Sequence, residues 1–397
     1  MGGMRRRVVF VSHSRRLYGA SRSLLALLQG FRQHGVETCT VLPGPGPMLD
    51  ALAARGETTV VVPFPCWVWS ATQPPDVEEL QAAQSRAVAE IVTVLERVRP
   101  DVVWSNSSVT AVGALAAAVL GVPHVWHLRE VNGDAEPFRF VMGSATAVEP
   151  IRAASARIAV SRAVKAAYET LGSGPCEVIY NGIATSDELA ARSGPPVRRA
   201  RVRMLLAGRL EAEKRQLTAI EATNRLITAG HDVELRIVGD GELETCTAAI
   251  GRLGLHGVVT LAGFVADLDT EYRRADIALT CSPIEGMGRT TAEAMSYGLP
   301  VVGCDRMGTA ELIEHEVTGL LYDGSAGGLA RAVERLVEQP RLARCLGERA
   351  RGLARDRFSN ERCTRETLEV LYRVRRESPT TPEALAGARD RGERDRA

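Results

Sequence analysis

The sequence predicts an α/β protein of two doubly wound parallel-sheet domains with a cleft between them. Short apolar runs alternate with helical patterns through both halves of the chain, and such β-α repetition produces a parallel sheet covered by helices on both faces. The chain has 397 residues, too many for one ordinary core and suited to two domains of common size. Between the halves, residues 182–201 carry Ser193-Gly194-Pro195-Pro196, a linker composition.

In the first half the runs 7–11, 37–42, 58–62, 101–104, 123–126, 158–160 and 177–179 read as strands, with helices such as 21–34 and 77–99 between them. The uncharged stretch 102–123 approaches the ~20 apolar residues of a membrane helix. Ser105-Asn106-Ser107-Ser108 and Gly113 interrupt it and Gly121 and Pro123 end it, so strand, cap, Ala-rich helix and next strand is the better reading. In the second half the strand runs are 202–207, 233–238, 258–261, 277–280, 301–303 and 319–322. A closing helix spans about 360–373, and 377–397 is a charged tail of disordered composition. The domains expected are 1–185 and 201–359, with 186–200 as linker and 360–376 as a final helix.

Hydrophobic residues make up 45% and charged residues 24%, the balance of a soluble globular protein. A net charge of +1 argues against a nucleic-acid binder. The eight Cys are scattered with no C-x-x-C pair, so neither a zinc site nor a disulfide framework is indicated. Arg5–Arg7 precede only the short run Val8–Val11, better read as a first strand than as a secretory signal. A reducing cytoplasm is the expected location, with peripheral contact at the inner membrane face left open.

The most informative stretch is Glu285-Gly286-Met287-Gly288-Arg289-Thr290-Thr291-Ala292-Glu293. Pro283, Gly286 and Gly288 hold off a helix until about Arg289, which leaves Glu285 on a loop and Glu293 on a helix. The free N–H groups near Gly288 to Thr290 suit an anion such as a phosphate. Ionised Glu is acceptor-only and suits sugar and ribose hydroxyls. Cations for the phosphates come after the run 202–207, where Gly208-Arg209-Leu210-Glu211-Ala212-Glu213-Lys214-Arg215 turns into a helix. Lysine occurs only at Lys165 and Lys214 in a chain otherwise rich in Arg, so a compact ammonium stands at 214 where Arg is the default. That Arg bias also fits a GC-rich bacterial genome.

These segments resemble the retaining glycosyltransferases of family 4, which have the GT-B fold of two Rossmann-like domains. The resemblance covers about residues 5–375, and its pieces stand in the family's order. They are Tyr18-Gly19-Ala20-Ser21, His127, Val160-Ser161, Asn181-Gly182-Ile183, Gly208-Arg209 with Lys214, Val238-Gly239-Asp240-Gly241, Gly263-Phe264-Val265, Glu285 to Glu293, and Gly298-Leu299-Pro300-Val301-Val302.

The resemblance implies a hexosyl transfer from a nucleoside diphosphate sugar, of UDP or GDP type, to an acceptor hydroxyl with retention of configuration and without cofactor or metal. Cell-surface polysaccharide, glycolipid and specialised-metabolite pathways use such enzymes. Glu293 would hold the donor ribose, and Glu285 with the amides of Gly286, Met287, Gly288, Arg289 and Thr290 the sugar and phosphates. Arg209 and Lys214 would clamp the diphosphate, Phe264 and Val265 line the base, and Gly19 and Ala20 admit the diphosphate to the first domain's loop. His127, read as following the strand 123–126, would face the donor sugar, and the closing helix would return to the first domain. His124 reads as structural.

Departures are Met287 where the family has Phe, Ala20 in place of a second Gly, and Gly308-Thr309-Ala310-Glu311 for a Gly-Gly-x-x-Glu pattern. Asp267-Leu268-Asp269 reads as a helix cap rather than a metal site. Trp67 and Trp69, after the run 58–62, stand in a loop open to three readings: acceptor platform, membrane contact or packing. Two alternatives of different class are a nucleotide-sugar epimerase of the same fold and an inactive nucleotide-sugar-binding protein. The acceptor and the oligomeric state stay open.

Overall fold

The computed structural model describes residues 6–70, 75–134, 136–193 and 201–377. Residues 194–200 of the expected linker and 378–397 of the expected tail lie outside the described residues. Two compact units result: the chain up to Gly182 together with that from Asn360 onward, and Ile183–Ser359.

The first unit holds β1 (Arg6–Val11), β2 (Val36–Leu42), β3 (Thr58–Val61), β4 (Val68–Ser70), β5 (Val102–Ser105), β6 (His124–Leu128), β7 (Phe138–Phe140), β8 (Ala156–Ala159) and β9 (Glu177–Val178). Seven of them form one parallel sheet in the order β3-β2-β1-β5-β6-β8-β9. Apolar residues on both sheet faces explain the unbroken runs Val8–Val11 of β1 and Val102–Trp104 of β5. Val8 and Phe10 pack with the helix Gly19–Gln33 and the helix Asn360–Glu377, while Val9 and Val11 pack with Val77–Val98 and Val112–Leu120. Phe10, Phe31 and Trp104 form an aromatic cluster with ring centroids 5.7–6.1 Å apart; each fully buried aromatic contributes about 2 kcal/mol. The helix Asn360–Glu377 approaches closely because Gly30 carries no side chain: a Cβ there would stand 2.2 Å from Thr364 Oγ1.

The second unit holds β10 (Val202–Ala207), β11 (Val233–Val238), β12 (Val259–Leu261), β13 (Ile277–Thr280), β14 (Val301–Cys304) and β15 (Gly319–Tyr322), in a parallel sheet ordered β12-β11-β10-β13-β14-β15. In each sheet the order reverses once, at β1/β5 and at β10/β13. Ligands in such sheets bind beyond the C-terminal strand ends at that reversal.

Three expectations need correction. His127 lies inside β6 rather than after it, because the pairing of Val125 to Leu128 with Ala156 to Ala159 carries the strand to Leu128. The expected linker begins with a helix, Ser186–Ala191, whose Thr185 and Glu188 form a reciprocal capping box. It belongs to the second unit, with Leu189 buried and the Leu189 carbonyl accepting from Arg355 Nε at 3.1 Å. The expected loop through Trp67 and Trp69 ends in β4, which pairs antiparallel with β7.

Candidate functional site

The switch point of the second unit is assembled from glycines whose missing side chains let loops touch. Gly239, at φ 155°, follows β11, and a Cβ on it would stand 1.9 Å from the carbonyl oxygen of Gly208. That left-handed φ favours glycine, and the contact zips neighbouring loops together. Gly208 N–H donates to the Val238 carbonyl at 2.9 Å, Gly239 N–H to Gly263 at 2.8 Å and Leu210 N–H to Asp240 at 2.7 Å. Beyond Gly208 the chain makes a 3-10 turn, Ala212–Lys214, and a left-handed residue, Arg215, before the helix Gln216–Thr228. Gln216 Nε2 donates to the Arg209 carbonyl at 2.6 Å, securing the turn that presents Lys214.

Across the switch, the segment after β13 is held by Gly308. Its N–H donates to the Glu285 carbonyl at 2.9 Å, and a Cβ there would meet the Gly286 carbonyl oxygen at 2.3 Å. Gly308, in the stretch that departs from the family's pattern, thus seats Glu285. The helix Arg289–Ser296 starts where the sequence places it, with Gly288 in the left-handed region as its N-cap.

Lys214 Nζ donates to Glu285 Oε1, joining the loop after β10 to the loop after β13. Both side chains keep some exposure, 30% and 16%, so the pair sits in a partly screened setting. Arg209 points elsewhere: its Nη2 donates to Glu211 at 2.5 Å. Glu293 is buried, with Oε1 accepting from Arg289 Nε at 2.8 Å and Oε2 from Tyr272 Oη at 3.0 Å. A carboxylate has about four acceptor positions, so two further hydroxyl protons fit. Burial, and then the charge of Glu293, pushes the Tyr272 hydroxyl well above its ordinary range, which keeps it a donor. Arg289 also donates to the Ile183 carbonyl at 3.1 Å.

Met287 is buried, Thr290 and Val265 are half-buried, and Phe264 is 68% exposed. Phe264 follows the edge strand β12, on the same C-terminal side of the sheet as the switch point, and its exposed ring offers a flat apolar face. Asp267 caps the helix Leu268–Arg274, accepting from Thr270 N–H, as the capping reading anticipates. His231, Glu334 and Glu338 bring ligand atoms within 4.8 Å of one another, but His231 precedes β11, at the end of the strand opposite the switch point, and the two Glu lie on the helix Ala326–Glu338.

In the first unit, Gly19 opens the helix Gly19–Gln33 and is exposed, with Ala20 half-buried. His127 is buried, and its pKa is driven well below the ordinary value by burial and by the charge of Arg129. Arg129, also buried, donates through Nε to the Asn106 carbonyl at 3.0 Å and to Asn106 Oδ1 at 3.1 Å. Its Nη2 reaches Asn106 Oδ1 at 2.9 Å and His127 Nδ1 at 3.3 Å, and its Nη1 reaches Asn181 Oδ1. His124 bonds Ser105 Oγ through Nε2 at 2.9 Å. Trp67 is buried, donates to the Ser108 carbonyl at 2.7 Å and packs edge-on against Phe140, whereas Trp69 is 40% exposed. Packing therefore accounts for one of the two Trp.

The structure thus brings Lys214 to Glu285, leaves Arg209 on Glu211, and adds Tyr272, Gln216, Arg129 and Asn106, which sequence reading passed over. No sequence signal marks Tyr272, whose partner lies 21 residues away. Asn106 carried one, because a polar run directly after a buried strand stands at a ligand-facing sheet end.

Residues 18–187 match the family model described as Glycosyltransferase Family 4, and residues 201–339 the model described as Glycosyl transferases group 1. The chain is 31% identical to the putative glycosyltransferase EpsD of Bacillus subtilis (strain 168), over 41% of this chain and 42% of that one. It is 30% identical to the N-acetyl-alpha-D-glucosaminyl L-malate synthase of Bacillus anthracis, over 41% and 43% respectively. These matches thus span less than half of each curated relative. Among solved structures, Anabaena Alr3699/HepE in complex with UDP-glucose superposes with a TM-score of 0.76 at 25% identity, covering 92% of this chain and 99% of that one. No helix among the described residues is long and apolar enough to cross a membrane.

Proposed function

The chain belongs to the family 4 glycosyltransferases of the GT-B fold, and on that premise we propose that it moves a sugar from a nucleoside diphosphate sugar to an acceptor hydroxyl with retention of anomeric configuration. The observation that carries this reading is the contact of Lys214 with Glu285 at the β10/β13 switch point. One ammonium and one carboxylate meet where a doubly wound sheet takes its ligand, and each suits a different part of a nucleotide sugar. The carboxylate accepts from sugar hydroxyls. The ammonium turns to the diphosphate once a ligand supplies that charge, and Arg209 leaves Glu211 to join it.

In the proposed reaction the bond from C1 to the diphosphate oxygen breaks, the acceptor oxygen bonds to C1 on the same face, and the acceptor proton passes to the departing phosphate. Lys214, Arg209 and the amides of Gly286 to Thr290 stabilise the charge that develops there, an effect worth about 3 kcal/mol per well-placed donor. Glu293 holds the ribose diol, oriented by Arg289 and Tyr272. Phe264 and Val265 line the base. These groups supply the charge compensation for which a metal is otherwise used. A uridine nucleotide is favoured because HepE was solved with UDP-glucose.

The test is a panel of nucleotide sugars scored first by thermal shift, then by release of nucleoside diphosphate with candidate acceptors and by NMR of the product's anomeric centre. Nucleoside diphosphate release with an α-linked product from an α-linked donor supports the proposal. An altered nucleotide sugar formed without acceptor would make the chain an epimerase, and binding with no turnover across donors and acceptors would make it a binding protein.

A further inference from the structure

We infer that Arg129 is a positioning residue that sets His127 in the tautomer protonated on Nε2, so that the ring offers one N–H donor to a ligand oxygen and no lone pair for a proton. The part concerning a ligand rests on the proposed function; the part concerning the tautomer does not.

The argument begins with inventory. A guanidinium has five N–H donors and no acceptor. Arg129 Nη2 stands 3.3 Å from His127 Nδ1, so Nδ1 must be the lone-pair nitrogen, and a neutral imidazole then carries its proton on Nε2. The doubly protonated ring would oppose donor to donor and cation to cation. Arg129 is itself immobilised by groups from other strand ends: Asn106, directly after β5, accepts from Nε and Nη2, and Asn181, beyond β9, accepts from Nη1. Asn106 in turn is tied to β1 through its N–H to the Val11 carbonyl at 2.9 Å. Trp104 of β5 packs against the imidazole with ring centroids 6.2 Å apart. The ring therefore has little freedom to turn over.

His127 Nε2 is buried and has no hydrogen-bond partner among the described residues. A buried donor left unmade costs about 1–3 kcal/mol, and such a group calls for an explanation. A ligand oxygen supplies one. The titratable groups around Arg129 agree with this assignment. His13, from the segment after β1, is lowered to about 4 by burial and then by the Arg129 charge. Glu130, bonded by Ser107 Oγ at 2.8 Å, is raised chiefly by burial, with Arg129 opposing. Burial, with the charge of Arg129 added to it, thus keeps both imidazoles neutral. His127 cannot act as the base that takes the acceptor's proton: one nitrogen is occupied by Arg129 and the other already carries a hydrogen.

The test uses the full chain labelled with 15N at histidine, with two-bond proton–nitrogen correlations and the His127 signals assigned by their loss in His127→Gln. Nε2–H in the wild type from pH 6 to 8, giving way to a mixture with Nδ1–H in Arg129→Met, supports the inference. A wild-type ring protonated on Nδ1 or on both nitrogens overturns it, whatever the protein does with nucleotide sugars. An unchanged tautomer in Arg129→Met overturns it too. If that variant does not fold, Asn106→Ala removes the Oδ1 that accepts from Nε and Nη2 while leaving the backbone carbonyl, and is expected to mix the tautomers less strongly; no mixing there is equally fatal. In turnover, His127→Gln, whose amide nitrogen matches Nε2, should retain about ten times the activity of His127→Asn. Equal loss in both overturns the donor role. Failure of the proposed function is read separately, as absence of nucleoside diphosphate release.

Discussion

The C-terminal ends of the two parallel sheets handle positive charge in opposite ways. At β10/β13 the cations Lys214 and Arg209 are paired with Glu285 and Glu211, with side chains between 16% and 40% exposed. At the C-terminal ends of β5 and β6 the cation Arg129 is buried and bonded to the neutral oxygens of Asn106 and Asn181. A partly solvated ion pair can exchange partners at little cost, since such pairs contribute about 0–1 kcal/mol. A buried guanidinium cannot, because releasing it strands a charge and several carbonyls. Under the proposed function, the first region would redistribute charge when a diphosphate arrives, and under the further inference the second would hold a neutral ring in one state.

The largest effect that would break this contrast belongs to Lys214. Lys214→Ala should lower kcat by about 10²–10³-fold, the loss typical of one transition-state donor, with a smaller change in KM. Folding stability should fall by no more than about 1 kcal/mol, as expected for a screened pair. Steady-state kinetics beside denaturant unfolding of the same sample decide it. A variant with wild-type kcat, or one that loses stability and activity together, removes the ground for treating this pair as exchangeable.

Glu293 tests an intermediate case, a buried carboxylate that already has partners. Glu293→Ala should weaken nucleotide-sugar binding by about 10–100-fold, the worth of hydrogen bonds to a charged acceptor. Tyr272→Phe removes only the bond to Oε2 and should weaken binding by about 5-fold. Calorimetric titration with UDP-glucose measures both. An effect in Tyr272→Phe as large as that in Glu293→Ala would mean that the tyrosine, rather than the carboxylate, carries the contact.

How far these sites were legible follows from the same chemistry. β10, β11, β13 and β15 coincide with their sequence runs to the residue; β13 shows as a continuous apolar stretch buried on both faces, and β11 as an alternation of apolar with charged residues. The helix start at Arg289 was legible because Gly288 and Pro283 act locally. Lys214 and Glu285 stood out by residue type and spacing, and the family resemblance supplied their roles, but that they touch was not readable from either segment. Tyr272 with Glu293, Gly308 with Glu285 and Arg129 with Asn181 are all contacts across strands, which no spacing along one element reveals. β4 and β7 have three residues each, too few for a period to show. The end of β6 was misplaced because its neighbour β8, rather than its own residues, determines where pairing stops.

The smallest effect concerns His124, a buried imidazole with no facing cation among the causes of its shift. Burial lowers its pKa to about 3, whereas in the unfolded chain it titrates near 6.5. The unfolded state therefore takes up the proton first as pH falls. Stability is fully present above about 6.5 and declines from there toward 3, by about 1 kcal/mol between pH 7 and pH 5.5. His124→Gln, which can still bond Ser105, should remove that part of the acid sensitivity while leaving the His127 ring signals unchanged. Denaturant unfolding of the two proteins at both pH values measures it. Identical pH dependence in the variant would show that burial does not hold this imidazole neutral.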